Sequence, residues 1–196
     1  MRDIALTLLI AGLLPFVFKR PEIGAYMWAW ISIMNPHKLA YGFAHSAPFA
    51  LVIAAVTLFA FLFTRLRKPL PLSGVMVIYL VLLVWMTITS LFALNTPEYV
   101  LARWIFVMKI HLMLVVTIML IRGRKQIEVL LWVVVGSVAF YGVKGGLYTL
   151  ATAGSGRVWG PPGGMIEGNN ELAVALVMLT PFMYYLHQTA TKRWLR

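Results

Sequence analysis

Long apolar runs separated by short polar segments divide the chain from one end to the other. A helix that spans a membrane needs about 20 apolar residues, with roughly 17–25 tolerated. Five runs have this length or come close to it, namely Phe49–Phe63, Val75–Leu94, Arg103–Ile121, Ile127–Leu150 and Leu172–Leu186. Two more, Ile4–Phe18 and Ile23–Met34, are short. The pattern predicts an all-α membrane helix bundle with about seven transmembrane helices, the first two of them short.

The run Ile23–Met34 would be only about 18 Å long as a helix. Two interpretations are open: a short span extended through Asn35–Pro36, or a re-entrant segment. The later helices keep their orientation in either case, so only the first hairpin depends on the choice.

The composition agrees with a lipid environment, since 61% of the residues are hydrophobic, 12% are charged and the mean hydropathy is +0.86. Soluble chains are nearer half apolar and a quarter charged. Lys and Arg outnumber Asp and Glu by 17 to 6, a bias that in a soluble protein would suggest nucleic acid as a partner. Here no soluble basic surface is predicted, so we expect a single transmembrane domain over residues 1–196 and no nucleic-acid partner.

The basic residues form short clusters between apolar runs, which is typical of the cytoplasmic loops of membrane proteins. Four clusters hold 11 of the 17 Lys and Arg residues: Lys19–Arg20, Arg65–Arg67–Lys68, Arg122–Arg124–Lys125 and Lys192–Arg193–Arg196. With seven spans they all fall on one side. The positive-inside rule then places the N-terminus outside and the C-terminus in the cytoplasm.

The chemistry available to the chain is limited. It has no cysteine, which excludes disulfides, thiolate metal sites and a cysteine nucleophile. Its four histidines form no metal-binding motif, so we expect neither a metal nor a cofactor. A lone histidine such as His111 is expected to be a packed or interfacial group. Gly142 and Gly146 form a GxxxG pattern, which lets another helix approach closely.

One connection, GRVWGPPGGMIEGNNELA from Gly156 to Ala173, is much more polar than its apolar neighbours. An irregular polar segment in a membrane protein lies in water or inside the protein, because every backbone group in lipid must be paired. One interpretation is an ordinary outer loop in which Gly and Pro make turns. The other is an anion-binding loop.

Two features favour the anion-binding loop. Asn169–Asn170 precede an apolar helix, and Asn is a preferred N-cap, so the helix is predicted to begin there with free N–H groups suited to a phosphate. Glu171 in the first turn competes for the same positive helix end. Arg157 supplies a cation that pairs with phosphate oxygens through two hydrogen bonds, and Pro161–Pro162 stiffen the backbone beside it.

The outward halves of two spans also carry cations, and a charge within a membrane segment usually faces a cavity or a partner. Lys144 is predicted about seven residues, roughly 10 Å, from the end of its helix. Arg103 and Lys109 lie about 120° apart around theirs, and both could instead extend to the interface. The residues alone therefore predict a cationic outer pocket for an anionic amphiphile, such as a lipid that carries phosphate.

Three stretches, "WAWISIMNPHKLAYGFAHSAPFA", "YGVKGG" and "GRVWGPPGGMIEGNNELA", resemble the N-terminal part of the O-glycosylation ligases associated with the exosortase A system. These are relatives of the O-antigen ligases and polymerases, and the resemblance covers essentially the whole chain. It implies a glycosyltransferase of a bacterial inner membrane. Such an enzyme transfers a glycan from undecaprenyl diphosphate to an acceptor on the periplasmic side, without a metal.

The resemblance implies that Arg157, Gly160, Asn169 and Asn170 contact the diphosphate region. The family continues with further helices and a large periplasmic loop that supplies its catalytic His. No residue of this chain is therefore assigned as the catalytic base, and we expect the chain to be the N-terminal half of a longer ligase whose C-terminal half is a partner. The alternative function is non-catalytic: a membrane transporter, a flippase or a subunit of an assembly scaffold.

Overall fold

The computed structural model of the chain describes residues 1–66 and 69–190. The described residues form α-helices and two short 3-10 helices, Pro36–Leu39 and Phe43–His45, and contain no strand. The α-helices in chain order are α1 (Arg2–Lys19), α2 (Pro21–Met34), α3 (Phe49–Phe63), α4 (Gly74–Leu91), α5 (Pro97–Leu120), α6 (Arg124–Ala151) and α7 (Asn169–Thr189). The all-α prediction is confirmed, and each predicted apolar run corresponds to one helix, although the run Val75–Leu94 continues three residues past α4 and the run Arg103–Ile121 one residue past α5.

Most helices extend a few residues beyond the apolar run that predicted them. The largest difference is in α5, which begins at Pro97, six residues before Arg103. Pro97 takes the first helical position after Thr96, where its missing N–H does no harm, and Glu98 suits the positive end of the helix. The prediction from hydrophobicity alone therefore placed the start of α5 too late, because the residues that begin this helix are not apolar.

Three helices, α4, α5 and α6, are long and apolar enough to cross a membrane within the part of the chain that the structure describes. Helix α3 is apolar but has only 15 residues, and α2 has 14. With the apolar composition, these helices identify the chain as a membrane protein.

Helix α2 runs parallel to α6 through the centre of the bundle. The Tyr26 hydroxyl donates to the carbonyl of Gln126 at 3.2 Å, near the start of both helices. The Tyr141 hydroxyl donates to the carbonyl of Met34 at 2.9 Å, at the end of α2. The connection after α2 therefore lies at the same end of the bundle as the connection after α6. We call this end, which holds residues 35–48 and 152–168, the loop end.

The other helices alternate in direction. The Asp3 carboxylate accepts from the backbone N–H groups of Gly42 and Ala44, so α1 begins at the loop end. Helix α7 is antiparallel to α6, since the Tyr185 hydroxyl near its end donates to Glu128 near the start of α6, at 3.1 Å.

The opposite end, which we call the basic end, holds Lys19–Arg20, Arg65 and Arg122–Lys125, all at helix ends or in the short segments that join helices. Three of the predicted basic clusters thus lie wholly or partly at one end of the bundle. Positions 67, 68 and 192–196 lie outside the described residues.

The hairpin of α4 and α5 is held by two hydrogen bonds between side chains. The Tyr79 hydroxyl lies 2.7 Å from Nδ1 of His111, and Nε1 of Trp104 donates to the Thr87 hydroxyl at 3.2 Å. His111 is therefore a packing group, as predicted.

The core lies between α2 and its neighbours, and the α4–α5 hairpin contributes little to it. The largest fully buried aliphatic side chains are Val17, Ile31 and Ile53, from α1, α2 and α3. In α5 every buried residue lies at Met113 or later, and in α4 only Met76 is buried. The loop-end half of the hairpin therefore stands apart from the core, with α4 in contact mainly with α5, whereas the later half of α5 also packs on α2 and α3.

Candidate functional site

The polar connection Thr152–Gly168 folds back along α6. Its Val158 packs on Gly145 so closely that a Cβ there would clash with the valine side chain. Gly145 lies six residues before the end of α6, which is about 9 Å of helix. The segment therefore descends into the bundle. Of the predicted GxxxG pair, Gly142 contacts Leu176 of α7, whereas Gly146 faces open space, so the close approach uses Gly142 and Gly145.

A tight turn, residues 161–164, lies in the middle of this connection. The N–H of Gly164 donates to the carbonyl of Pro161 at 3.1 Å, and Gly163 has a φ of +69°. Proline at the second position and a left-handed glycine at the third are the signature of a type II turn. The ring of Pro161 is fully buried, so the turn is anchored in the protein.

Side chains hold the central peptide group of the turn from both sides. Nδ2 of Asn35 donates to the carbonyl of Pro162 at 3.1 Å, and the N–H of Gly163 donates to the Glu167 carboxylate at 2.9 Å. Asn35 also ends α2 in the left-handed conformation, with φ 47° and ψ 49°. A single residue thus terminates α2 and ties it to a loop 127 positions away.

Gly160 closes the connection on itself. Its N–H donates to the carbonyl of Glu167 at 2.8 Å, and a Cβ at this position would clash with the carbonyl oxygen of Ile166. Gly160 is buried. Its backbone N–H is already used, so Gly160 shapes the loop and does not offer a donor to a ligand.

The two acidic side chains of the connection are both engaged with glycines. Glu167 accepts from Gly163, and the Glu171 carboxylate lies against Gly168 at the start of α7. Arg157 is exposed, and among residues 1–66 and 69–190 it makes no ion pair and no hydrogen bond. Its guanidinium is therefore available to an outside partner.

The prediction that an asparagine caps α7 is wrong. The N-cap is Gly168, with no side-chain cap, and Asn169 is the first helical residue. Nδ2 of Asn169 donates to Oδ1 of Asn170 at 3.4 Å, so the two amides pair with each other. The Glu171 carboxylate folds over Gly168, which leaves no room for the predicted arrangement. Both asparagines are exposed at the loop end.

Two lysines lie close to this connection. Lys144 is exposed, next to Gly145, and lies seven residues before the end of α6, as predicted. Lys38 was not predicted to belong to the site. Its Cε lies 3.9 Å from the position that a Cβ on Gly163 would take. The sequence gives no signal for this proximity, because it depends on the contact between two distant loops.

His37 is buried between Lys38 and the core. Its Nδ1 has no hydrogen-bond partner in the described part of the chain, and its ring meets the ring of Phe49 edge to face at 6.0 Å. Burial lowers the pKa of His37 below its ordinary value, and the nearby Lys38 and His45 lower it further. The imidazole is therefore neutral at neutral pH and adds no charge to the loop end.

Arg103 belongs to another part of the structure. Its Nε donates to the Tyr99 hydroxyl at 3.3 Å, and its guanidinium carbon lies 5.4 Å from the centre of the same ring. It lines a cavity of about 370 Å³ between α4 and α5, and Lys109 is not among the lining residues. Arg157 and Gly160 thus lie in the connection, Asn169 and Asn170 directly follow it, and Lys144 neighbours Gly145, on which the connection packs, while Arg103 lines a separate cavity.

Comparison with known proteins places the chain in a family. The comparisons with curated proteins and with solved structures found no match. Residues 1–191 match a family described as a family of unknown function, DUF5935. The match covers nearly all of the 196 residues, including both loops at the loop end and every helix. The chain belongs to the DUF5935 family.

Proposed function

We propose that the chain is the N-terminal membrane part of a glycan ligase. In this proposal the bundle crosses a bacterial inner membrane seven times with its loop end in the periplasm. The loop end binds the diphosphate of an undecaprenyl-diphosphate-linked glycan, and the enzyme passes the glycan to an acceptor. One observation carries the proposal: the exposed Arg157 guanidinium has no ion pair and no hydrogen bond among the described residues, on a connection whose turn is held by Asn35 and Glu167.

The local structure favours binding of an anion at Arg157. Irregular backbone at membrane depth is tolerated where it is buried in protein or lines a cavity. Here Asn35 and Glu167 hold the turn, so a ligand would meet a preformed loop and little entropy would be lost on binding. Glu167 accepts from Gly163 and makes no ion pair with Arg157 among the described residues, so Arg157 can form two parallel hydrogen bonds to phosphate oxygens.

The proposed reaction is the attack of an acceptor hydroxyl on the anomeric carbon of the glycan. The bond from that carbon to the diphosphate breaks, and the lipid diphosphate leaves with the bonding electrons. Arg157 stabilises the charge that develops on the leaving group. In this proposal Asn169, Asn170 and Lys144 also contact the diphosphate, and a C-terminal half supplies the base that takes the hydroxyl proton.

The orientation follows from charge. Lys19–Arg20, Arg65 and Arg122–Lys125 lie at the basic end, and cytoplasmic segments are enriched in Lys and Arg. Cysteine labelling tests this directly, because the chain has no cysteine of its own. Met165→Cys at the exposed loop should react with an impermeant maleimide in cells with a permeabilised outer membrane. The matched variant Leu66→Cys, exposed at the basic end, should react only after lysis. The reverse pattern would exclude the proposal, since the donor diphosphate is presented on the periplasmic face.

Ligand binding tests the role of Arg157. Detergent-purified chain should bind undecaprenyl diphosphate, and Arg157→Gln should weaken binding by roughly tenfold, the effect of losing a charge-assisted pair. Arg2→Gln, which removes an exposed cation from the start of α1 at the same end, is the matched control and should bind normally. In the full-length ligase, Arg157→Ala should abolish glycan transfer and Arg157→Lys should restore little of it. Normal transfer by Arg157→Ala would remove Arg157 from the site.

A further inference from the structure

A cavity lined by Arg103 lies within the α4–α5 hairpin, on its loop-end side. It has a volume of about 370 Å³. Its lining residues come from both helices and the turn that joins them, and they include Met86, Asn95, Tyr99, Arg103, Trp104 and Met108. Because α4 is almost unburied and the first half of α5 has no buried residue, this cavity opens toward lipid and not toward the core.

The lining changes from polar to apolar with depth. Asn95 and Tyr99 lie at or near the turn between the helices, whereas Val107 and Met108 lie about three helical turns from the start of α5. Arg103 lies between these zones, six residues from the start of α5, which is about 9 Å of helix. This order matches a phospholipid, whose phosphate lies near the membrane surface and whose acyl chains extend inward.

Arg103 is positioned but not neutralised. The Tyr99 hydroxyl accepts from its Nε, which fixes the guanidinium near the tyrosine ring. The described residues provide no acidic partner for its terminal nitrogens. A guanidinium held in this way presents its terminal N–H groups to an anion.

We propose that this cavity binds a phospholipid of the surrounding bilayer that has a net negative headgroup. The phosphate lies on Arg103, and one acyl chain follows the apolar wall formed by Met86 and Met108. No carboxylate lines the cavity, so the ammonium group of a zwitterionic headgroup would have no partner there. The proposal does not depend on glycan transfer or on Arg157.

The experiment uses the chain in phosphatidylcholine nanodiscs, with dibrominated phosphatidylglycerol added at increasing mole fraction. Bromine quenches nearby tryptophan, and Trp104 lines the cavity. The difference in emission between the unmodified chain and Trp104→Phe reports on Trp104 alone. We expect dibrominated phosphatidylglycerol to half-quench that emission at a mole fraction about tenfold lower than dibrominated phosphatidylcholine. If Trp104→Phe changes the helix content, Val107→Trp in the otherwise unmodified chain replaces it, and the emission that this variant gains reports on another lining position.

Matched variants identify the cation. Arg103→Gln should abolish the preference for phosphatidylglycerol, and Arg103→Lys should keep part of it. Lys109→Gln removes an exposed cation from the same helix but from outside the lining, and it should keep the full preference. Helix content measured by circular dichroism should be the same in all three.

Other outcomes would overturn the proposal. Equal quenching by the two brominated lipids would show that headgroup charge is not recognised. A preference that survives in Arg103→Gln would place the recognised charge elsewhere. Displacement of phosphatidylglycerol by millimolar inorganic phosphate would identify a free-phosphate site instead of a lipid site.

Discussion

Two regions of the loop end carry an exposed arginine, but their supports differ. Arg157 lies in the connection after α6, where hydrogen bonds from Asn35 and to Glu167 hold the backbone. Arg103 lies in the α4–α5 hairpin, where its hydrogen bond is to Tyr99 of the same helix. Irregular backbone inside a bundle needs partners from the protein, whereas a helix satisfies its own backbone. The connection is therefore tied to the core, and the hairpin can stand apart from it.

The largest effect should come from closing the space that the connection occupies beside α6. Gly145→Ala places a methyl group against Val158, and overpacking of this kind costs about 1–3 kcal/mol. The neighbouring variant Gly146→Ala meets open space, so it should be neutral or stabilise the helix by about 0.5 kcal/mol. Thermal unfolding in detergent, followed by circular dichroism, measures both. Equal effects of the two substitutions would contradict the packing of Val158 on Gly145.

The second prediction concerns the tie between α2 and the connection. Asn35→Ala should lower the unfolding free energy by about 2 kcal/mol, because it loses a hydrogen bond and places alanine in a left-handed conformation. Asn35→Gly tolerates that conformation and loses only the bond, so about 1 kcal/mol should be lost. Asn35→Asp cannot donate to Pro162 and should resemble Asn35→Gly.

Hydrogen exchange localises the effect of these variants. The N–H groups of Gly160 and Gly163 donate within the connection and should exchange faster in all three variants. The N–H groups in the middle of α1 should exchange unchanged. Faster exchange throughout the chain would mean that Asn35 supports the whole fold and not this connection.

The sequence predicted the helices well because hydrophobic length is a local property. It began α5 too late at Arg103, since Pro97 and Glu98 favour a helix start but interrupt an apolar run. It assigned the cap of α7 to an asparagine, although Gly168 and the Glu171 carboxylate occupy that position. Both errors concern helix starts, which depend on neighbouring side chains as well as on the preference of one residue for one position.

The arrangement of the site depended on contacts that no local pattern encodes. The grouping of Arg157, Gly160, Asn169, Asn170 and Lys144 around one connection stays a prediction. The bond from Asn35 spans 127 positions, so the sequence could not show that the first polar segment holds the second. Arg103 lies apart from the connection because α5 packs on the core only through its later half. A helical wheel cannot predict this, since it shows the faces of a single helix and not which part of the helix packs.

A smaller effect is expected in the hairpin. Tyr79→Phe removes the hydroxyl that lies 2.7 Å from Nδ1 of His111, and polar bonds between membrane helices contribute about 0.6 kcal/mol on average. Thr89→Val, which removes a hydroxyl bonded only within α4, is the matched control and should change stability less. The measurement is resistance to unfolding by denaturing detergent. If both substitutions have the same effect, the bond to His111 does not hold the two helices together.

The smallest effect near neutral pH should come from His37, which is buried in the 3-10 helix that follows Asn35. Its pKa in the folded chain is lowered by burial and by the charges of Lys38 and His45, whereas in the unfolded chain it is near 6.5. The unfolded state therefore binds the proton first as the pH falls. The contribution of His37 to stability is fully present above about pH 6.5 and is lost progressively as the pH falls through the folded pKa.

His37→Phe keeps a ring against Phe49 but cannot titrate, so its thermal midpoint should fall less between about pH 7 and pH 5 than that of the unmodified chain. His45→Gln removes an exposed histidine of the same segment and should retain most of the pH dependence. Parallel curves for His37→Phe and the unmodified chain would show that protonation of His37 is not resisted by the fold.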